Sequence, residues 1–189
     1  MLNLANRITL ARIVFVLPVL ALLHFANPIA CWLAAVLFTI ASLTDLLDGH
    51  IARRDNTVTS LGKLLDPLAD KLLVCSVLVM LVDLGWVPAW ITIVIIMREM
   101  AVTSLRTMAM DEGVVLAADK YGKLKTIVQV VALVPVIVHY PFWLIDPQVL
   151  GKFLLYIALI LTVFSGLNYF HTFYLRWRSK ETERKQDGG

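Results

Sequence analysis

Residues 45–70 read DLLDGHIARRDNTVTSLGKLLDPLAD, and the spacing of the four aspartates in this stretch decides how the chain is read. Asp45 and Asp48 stand at i and i+3, Asp66 and Asp70 at i and i+4, so each pair places both carboxylates on one face of a helix. A loop around residues 54–62 lets the two helices meet as an antiparallel pair, which brings all four carboxylates to one locus. Gly49 removes a side chain one residue after Asp48, where a ligand or another backbone can approach closely. Gly62 suits the turn into the next helix. Pro67 is tolerated in a first turn but loosens the backbone around Asp66.

Four carboxylates gathered near a membrane interface repel one another and are costly to desolvate. Two divalent cations would cancel their charge. The donors are all oxygen, with no His or Cys among them, which favours Mg²⁺, Mn²⁺ or Ca²⁺ over Zn²⁺. A pair of metal ions is also the usual means of clamping the attacking and leaving oxygens of a phosphoryl transfer. The plain alternative is four solvated acids pairing with Arg53, Arg54 and Lys71, but surface pairs do not need two helical spacings in register.

Outward from this stretch the chain is strongly apolar. Of its 189 residues, 59% are hydrophobic and 16% are Asp, Glu, Lys or Arg, with a mean hydropathy of +0.79. A soluble domain needs more charge than this to cover its surface, so much of the surface is expected to face lipid. Six apolar segments stand out, at 8–26, 30–49, 64–83, 87–108, 124–142 and 150–171. Each holds about 20 residues, enough to cross a hydrocarbon core of about 30 Å as a helix. Backbone polar groups cannot go unpaired in lipid, so an all-α, polytopic membrane protein with six transmembrane helices is expected. Residues 1–171 are expected to form one transmembrane domain that carries the site, and 172–189 a basic cytoplasmic tail expected to fray into solvent.

Sixteen of the seventeen Lys and Arg fall at the N-terminal end, in the second-to-third and fourth-to-fifth connections with their flanks, or in the tail. Lys152 alone falls on the other side. Both termini and the aspartates are therefore expected on the cytoplasmic face of the inner (cytoplasmic) membrane. Trp86, Trp90, Tyr140, Phe142 and Trp143 suit the opposite interfacial belt. The polar start of the chain runs into an apolar stretch with no clear small-residue cleavage site, so it reads as part of the mature protein. Cys31 and Cys75 lie in apolar stretches without CxxC spacing and read as buried hydrophobes. The four histidines, His24, His50, His139 and His171, are scattered and receive no role.

The pattern Asp45-x₂-Asp48-Gly49-x₂-Ala52-Arg53-x₈-Gly62-x₃-Asp66-x₃-Asp70 resembles the full signature of the CDP-alcohol phosphotransferase family. The resemblance implies that family's fold of six helices with cytoplasmic termini, two Mg²⁺ or Mn²⁺ ions, and a homodimer. It also implies transfer of a phosphate-bearing group from a CDP-linked donor to an alcohol, with release of CMP. On matching positions, Asp45, Asp48, Asp66 and Asp70 would hold the metals, and Asp70 would also deprotonate the acceptor hydroxyl. Asp48, Gly49, Ala52, Arg53 and Gly62 would border the CDP portion. Small residues at 49 and 52 leave room for a base or ribose, and Arg53 can fork onto a phosphate. Asn6, Thr9 and Arg12 resemble the family's polar N-terminal segment, with Thr9 assigned to CDP binding; Ala5 stands where a proline is often found.

The acceptor is read from the second half. Arg98 and Arg106 are eight residues apart in an apolar helix, about 80° of rotation, so both can face one cavity. An intramembrane arginine is expensive unless it points into the bundle or snorkels outward. Glu99 pairing with one of them is the plain structural account; surface anchoring is the plain account of Lys120, Lys123 and Lys125. Together these residues would form a basic pocket for an anionic acceptor. Arg98-Glu99, Arg106 and Gly122-Lys123-x-Lys125-Thr126 also resemble the branch of the family whose acceptor is sn-glycerol 3-phosphate. The expected reaction is transfer of phosphatidyl from CDP-diacylglycerol to that acceptor, giving phosphatidylglycerol phosphate, with no nucleic-acid partner.

Two other readings compete. One is the same chemistry with another acceptor, inositol phosphate or serine. The other is a membrane cation transporter using intramembrane carboxylates, which the missing polar relay beyond the cytoplasmic helix ends speaks against. A membrane prenyltransferase also uses Asp-rich pyrophosphate sites, but 189 residues are few for that fold.

Overall fold

Helices alone carry the described chain: α1 Leu4–His24, α2 Pro28–Ile51, α3 Ser60–Asp83, α4 Ala89–Asp111, α5 Lys120–Val138 and α6 Pro147–Asp187. The structure is a computed structural model that describes the backbone of residues 4–51, 60–111, 120–141 and 146–187. Within these, side chains are described over 13–44, 71–109, 124–141 and 146–178. No strand occurs among the described residues.

Local chemistry explains the helix ends. Asn27 caps α2, its Oδ1 accepting from the Ala30 N–H at 2.9 Å, with Pro28 in the first helical position. Asp146 does the same for α6, accepting from the Gln148 N–H at 2.9 Å, with Pro147 next. The last turn of α3 closes on Gly85 at φ +71°: the Gly85 N–H donates to Val82 and the Trp86 N–H to Leu81, both at 2.9 Å. These two bonds satisfy carbonyls that the helix end would leave orphaned, and glycine enters the left-handed region without a Cβ clash.

Most bounds shift by two to four residues from the sequence expectation, and two C-terminal ends have a clear physical cause. Helix α5 stops at Val138 rather than 142, because His139 takes a left-handed turn at φ 57° and Pro141 follows. Helix α6 continues to Asp187, so the tail expected to fray is helical. Residues 172–187 hold no glycine or proline, and extending an existing helix avoids the cost of nucleation.

By length and composition, one stretch among the described residues, Pro147–Arg178, is apolar enough to cross a membrane. Ile13–His24, Pro28–Thr44 and Leu124–Val138 are shorter apolar helical stretches. Lys71 interrupts the apolar run of α3, and Arg98 and Glu99 that of α4.

Helix α1 packs on α2 and α3, α5 on α2 and α6, and α4 on α3 and α6. Followed from neighbour to neighbour, these contacts close a ring in the order α1, α2, α5, α6, α4, α3. Its core is built from residues at helical spacing, among them Val19 and Leu23, Ala34 and Phe38, Val77 and Leu81, Ile91 and Ile95, and Leu133 and Val136. At Gly151 a Cβ would lie 2.5 Å from Val136 Cγ2 and 2.7 Å from Val136 N, so α5 and α6 touch backbone to backbone there.

Aromatic contacts tie three connections together at one end. The Trp86 and His139 rings stack with centroids 3.7 Å apart and planes 10° from parallel. Tyr140 meets both edge-on, and its hydroxyl donates to the Ala26 carbonyl. The turns after α1, α3 and α5 are thus fastened to one another. Trp86 is buried within the core cluster. Trp86→Ala is expected to cost about 3 kcal/mol, as truncation of a buried aromatic does, and to lower the thermal midpoint in detergent. An unchanged midpoint would show that the stack does not hold these turns.

Candidate active site

Every helix runs away from or toward the aromatic tie. The C-terminal ends of α2 and α4 and the N-terminal ends of α1, α3 and α5 therefore gather at the opposite end. Asp45 and Asp48 lie in the last turns of α2, and Asp66 and Asp70 in the first half of α3. Both helices flank α1, which carries Thr9 near its start. The side chains of Thr9 and the four aspartates lie outside the described residues, as do Ala52 and Arg53 entirely. Gly49 sits within α2. Gly62 is the third residue of α3 rather than part of the turn before it, because the helix already starts at Ser60. Pro67 accordingly falls beyond the first turn.

The basic residues are placed more fully. Arg98 of α4 lies against α6, with Nε donating to the Thr162 carbonyl at 3.2 Å and Nη2 to the Ser165 hydroxyl at 2.8 Å. Its third edge meets Glu99 Oε1 at 3.3 Å. Gly166 makes this seat possible: a Cβ there would lie 3.0 Å from Arg98 Cγ. Arg106, further along α4, sets its guanidinium carbon 6.0 Å from the Tyr169 ring centroid, at the outer limit of a cation–π contact. Both arginines thus approach one face of α6, marked by Thr162, Ser165 and Tyr169.

Lys125 of α5 is 97% buried, being 3% exposed, and its ammonium pairs with Glu99 Oε1. Lys71 of α3 reaches Glu99 Oε2 at 3.7 Å. A single carboxylate therefore bridges cations from three helices. A buried lysine is tolerable only with such a partner, since desolvation disfavours the ammonium. The side chains of Lys120 and Lys123, in the first turn of α5, lie outside the described residues.

Sequence reasoning considered Lys71 only for topology and as a possible partner of the aspartates, not of Glu99, and passed over Thr162, Ser165 and Tyr169. The signal available was the spacing of three polar residues at i, i+3 and i+7 on an apolar helix. Two of them stand out further: Thr162 Oγ1 and Tyr169 Oη are buried without a hydrogen-bond partner among the described residues. Also among the described residues, no group of three or more His, Cys, Asp or Glu stands ready to hold a metal ion.

The geometry defines an all-helical bundle with aspartate-bearing helix ends beside a buried basic cluster. A sequence profile of the CDP-alcohol phosphatidyltransferase family matches residues 2–164. A Bacillus subtilis protein named CDP-diacylglycerol–glycerol-3-phosphate 3-phosphatidyltransferase is 44% identical over 183 residues, covering 90% of this chain and 94% of its own. A Rickettsia typhi protein of the same name is 39% identical, covering 89% of this chain and 95% of its own. A Mycobacterium tuberculosis protein named probable phosphatidylglycerophosphate synthase is 38% identical over 174 residues, covering 88% of this chain and 79% of its own. The chain belongs to the CDP-alcohol phosphatidyltransferase family.

Proposed function

We propose that this enzyme transfers the phosphatidyl group of CDP-diacylglycerol to sn-glycerol 3-phosphate, forming phosphatidylglycerol phosphate and CMP. One observation carries the choice of acceptor: Lys71, the chain neighbour of Asp70, joins Arg98 and Lys125 around Glu99. That contact sets a basic cluster against the stretch of α3 that carries the fourth aspartate, where an acceptor with its own phosphate would gain most. A neutral alcohol would gain little from it. The names of the relatives support the same acceptor.

The enzyme spans the membrane with all six helices, its termini and site on the cytoplasmic side. Supporting this are large apolar side chains turned outward, such as Leu17, Ile29, Ile160 and Leu167, and the crowding of basic residues at one end. A homodimer is the proposed assembly. The donor's acyl chains stay in lipid while its headgroup enters from the side.

Asp45, Asp48, Asp66 and Asp70 would hold two Mg²⁺ or Mn²⁺ ions; four carboxylates without His or Cys fit hard divalent cations. Bound ions would neutralise the pyrophosphate and the departing CMP. Arg53 holds a donor phosphate by its planar fork, beside Asp48, Gly49, Ala52, Gly62 and Thr9. Arg98 and Arg106, with Lys120, Lys123 and Lys125, hold the acceptor phosphate and so orient its 1-hydroxyl. Asp70 takes the hydroxyl proton as the oxygen attacks phosphorus. The new oxygen–phosphorus bond forms to the phosphorus bearing diacylglycerol, and the bond to CMP breaks.

The test is CMP release from CDP-diacylglycerol in mixed micelles, with and without Mg²⁺, offering glycerol 3-phosphate, inositol phosphate or serine. Release is expected with glycerol 3-phosphate and metal only. Release with serine or inositol phosphate instead would overturn the acceptor.

A further inference from the structure

Glu99 is a carboxylate deep in a bundle whose proposed ligand is an anion. On charge alone it should repel the acceptor. Its surroundings explain the contradiction. One side-chain carboxylate, about one-eighth exposed, contacts Lys71 at 3.7 Å, Arg98 at 3.3 Å and the Lys125 ammonium. These cations come from α3, α4 and α5, three helices with no common loop near the contact.

Long basic side chains carry about 2 kcal/mol of rotamer freedom each, which a ligand would otherwise have to remove on binding. A carboxylate that gathers them beforehand transfers that ordering to the folding of the protein. Arg98 is fixed from its other side as well, by the Thr162 carbonyl, the Ser165 hydroxyl and the space above Gly166. Its guanidinium is thus set between α4 and α6 before any ligand arrives. The orphaned Thr162 and Tyr169 hydroxyls border the same face.

We propose that Glu99 is a positioning residue for the acceptor: it holds Arg98, Lys125 and Lys71 in the arrangement that receives the phosphate of glycerol 3-phosphate. It touches neither substrate and acts through the cations. The inference rests on the acceptor proposed above.

The experiment is steady-state kinetics on the full-length enzyme, varying each substrate separately, with thermal midpoints measured alongside. Glu99→Gln is expected to raise KM for glycerol 3-phosphate about tenfold or more, about 1.4 kcal/mol of apparent affinity, while KM for CDP-diacylglycerol moves less than about twofold. Glu99→Asp, which keeps the charge on a shorter stem, should recover part of the loss. Ser165→Ala removes one hold on Arg98 without changing any charge and should raise the same KM by a smaller factor. An unchanged KM for glycerol 3-phosphate in Glu99→Gln overturns the inference. So do equal losses for both substrates together with a lowered midpoint, since these would mark a purely structural carboxylate. If Glu99→Gln does not fold, Ser165→Ala decides: an unchanged KM there overturns the inference too. A wild-type enzyme that releases no CMP with glycerol 3-phosphate brings down the acceptor itself, a result distinct from these.

Discussion

Asp70→Asn is expected to lower kcat by about 10²- to 10⁴-fold, the range for losing a general base, at every Mg²⁺ concentration. Asparagine matches aspartate in size and costs α3 little as a helix residue, so the change removes charge and basicity rather than structure. The dual role given to Asp70 makes the Mg²⁺ series the informative axis. A residue that only held metal would be rescued by more metal, because weakened binding is overcome by mass action. A base is not rescued. Recovery to near wild-type turnover at high Mg²⁺ would reassign Asp70 to metal binding alone, and undiminished turnover at ordinary Mg²⁺ would remove it from the mechanism.

The second large effect is expected far from the chemistry. Gly151→Ala puts a methyl group 2.5 Å from Val136 Cγ2, 2.7 Å from Val136 N and 3.2 Å from the Ala132 carbonyl oxygen. A valine methyl can rotate away, but a backbone nitrogen cannot. The strain can be relieved only by moving α5 and α6 apart along a tightly packed seam. Overpacking of this kind costs about 1–3 kcal/mol, and the backbone contact puts Gly151→Ala at the upper end. A larger residue such as valine should abolish recovery of folded protein. Thermal unfolding and size-exclusion profiles in detergent check both; a Gly151→Ala midpoint within a degree of wild type would mean the seam has slack. Gly85→Ala gives a useful contrast. Nothing lies within 4 Å of a Cβ there, yet φ is +71°, so its cost is about 1 kcal/mol of backbone strain.

Much of the architecture was legible because apolar runs and breakers are local signals. Six apolar segments correspond to the six described helices, although the helix starts at Asn27-Pro28 and Asp146-Pro147 were not read from the sequence. The misplaced ends came from subtler causes. His139 terminates α5 by adopting a left-handed conformation that its residue type does not announce. Continuation of α6 through a basic stretch depends on the absence of breakers, which is easily mistaken for disorder when charge is high.

For the site, the aspartate spacing was legible because it is confined to two helix ends. The partnership around Glu99 was legible only in part. Pairing of Glu99 with one of the two arginines was expected, and Arg98 meets it at 3.3 Å, but the convergence of two lysines on the same carboxylate was not. Lys71 and Lys125 are brought to the same carboxylate by tertiary packing across positions remote in sequence. Ser165 and Thr162 looked like ordinary small polar residues of an apolar helix, and only the lie of Arg98 across Gly166 reveals what they hold.

The rings of Trp86, His139 and Tyr140 have a mechanical corollary. With the turns fastened at one extremity, any tilting of a helix would pivot there, and its excursion would grow towards the opposite end, against the hold of the Glu99 contacts. Along the 24 residues of α3, about 36 Å of helix, tilting by about 5° displaces the tip by about 3 Å. Such a tilt would change the spacing of the helix ends that carry the aspartates while the aromatic pivot scarcely shifted.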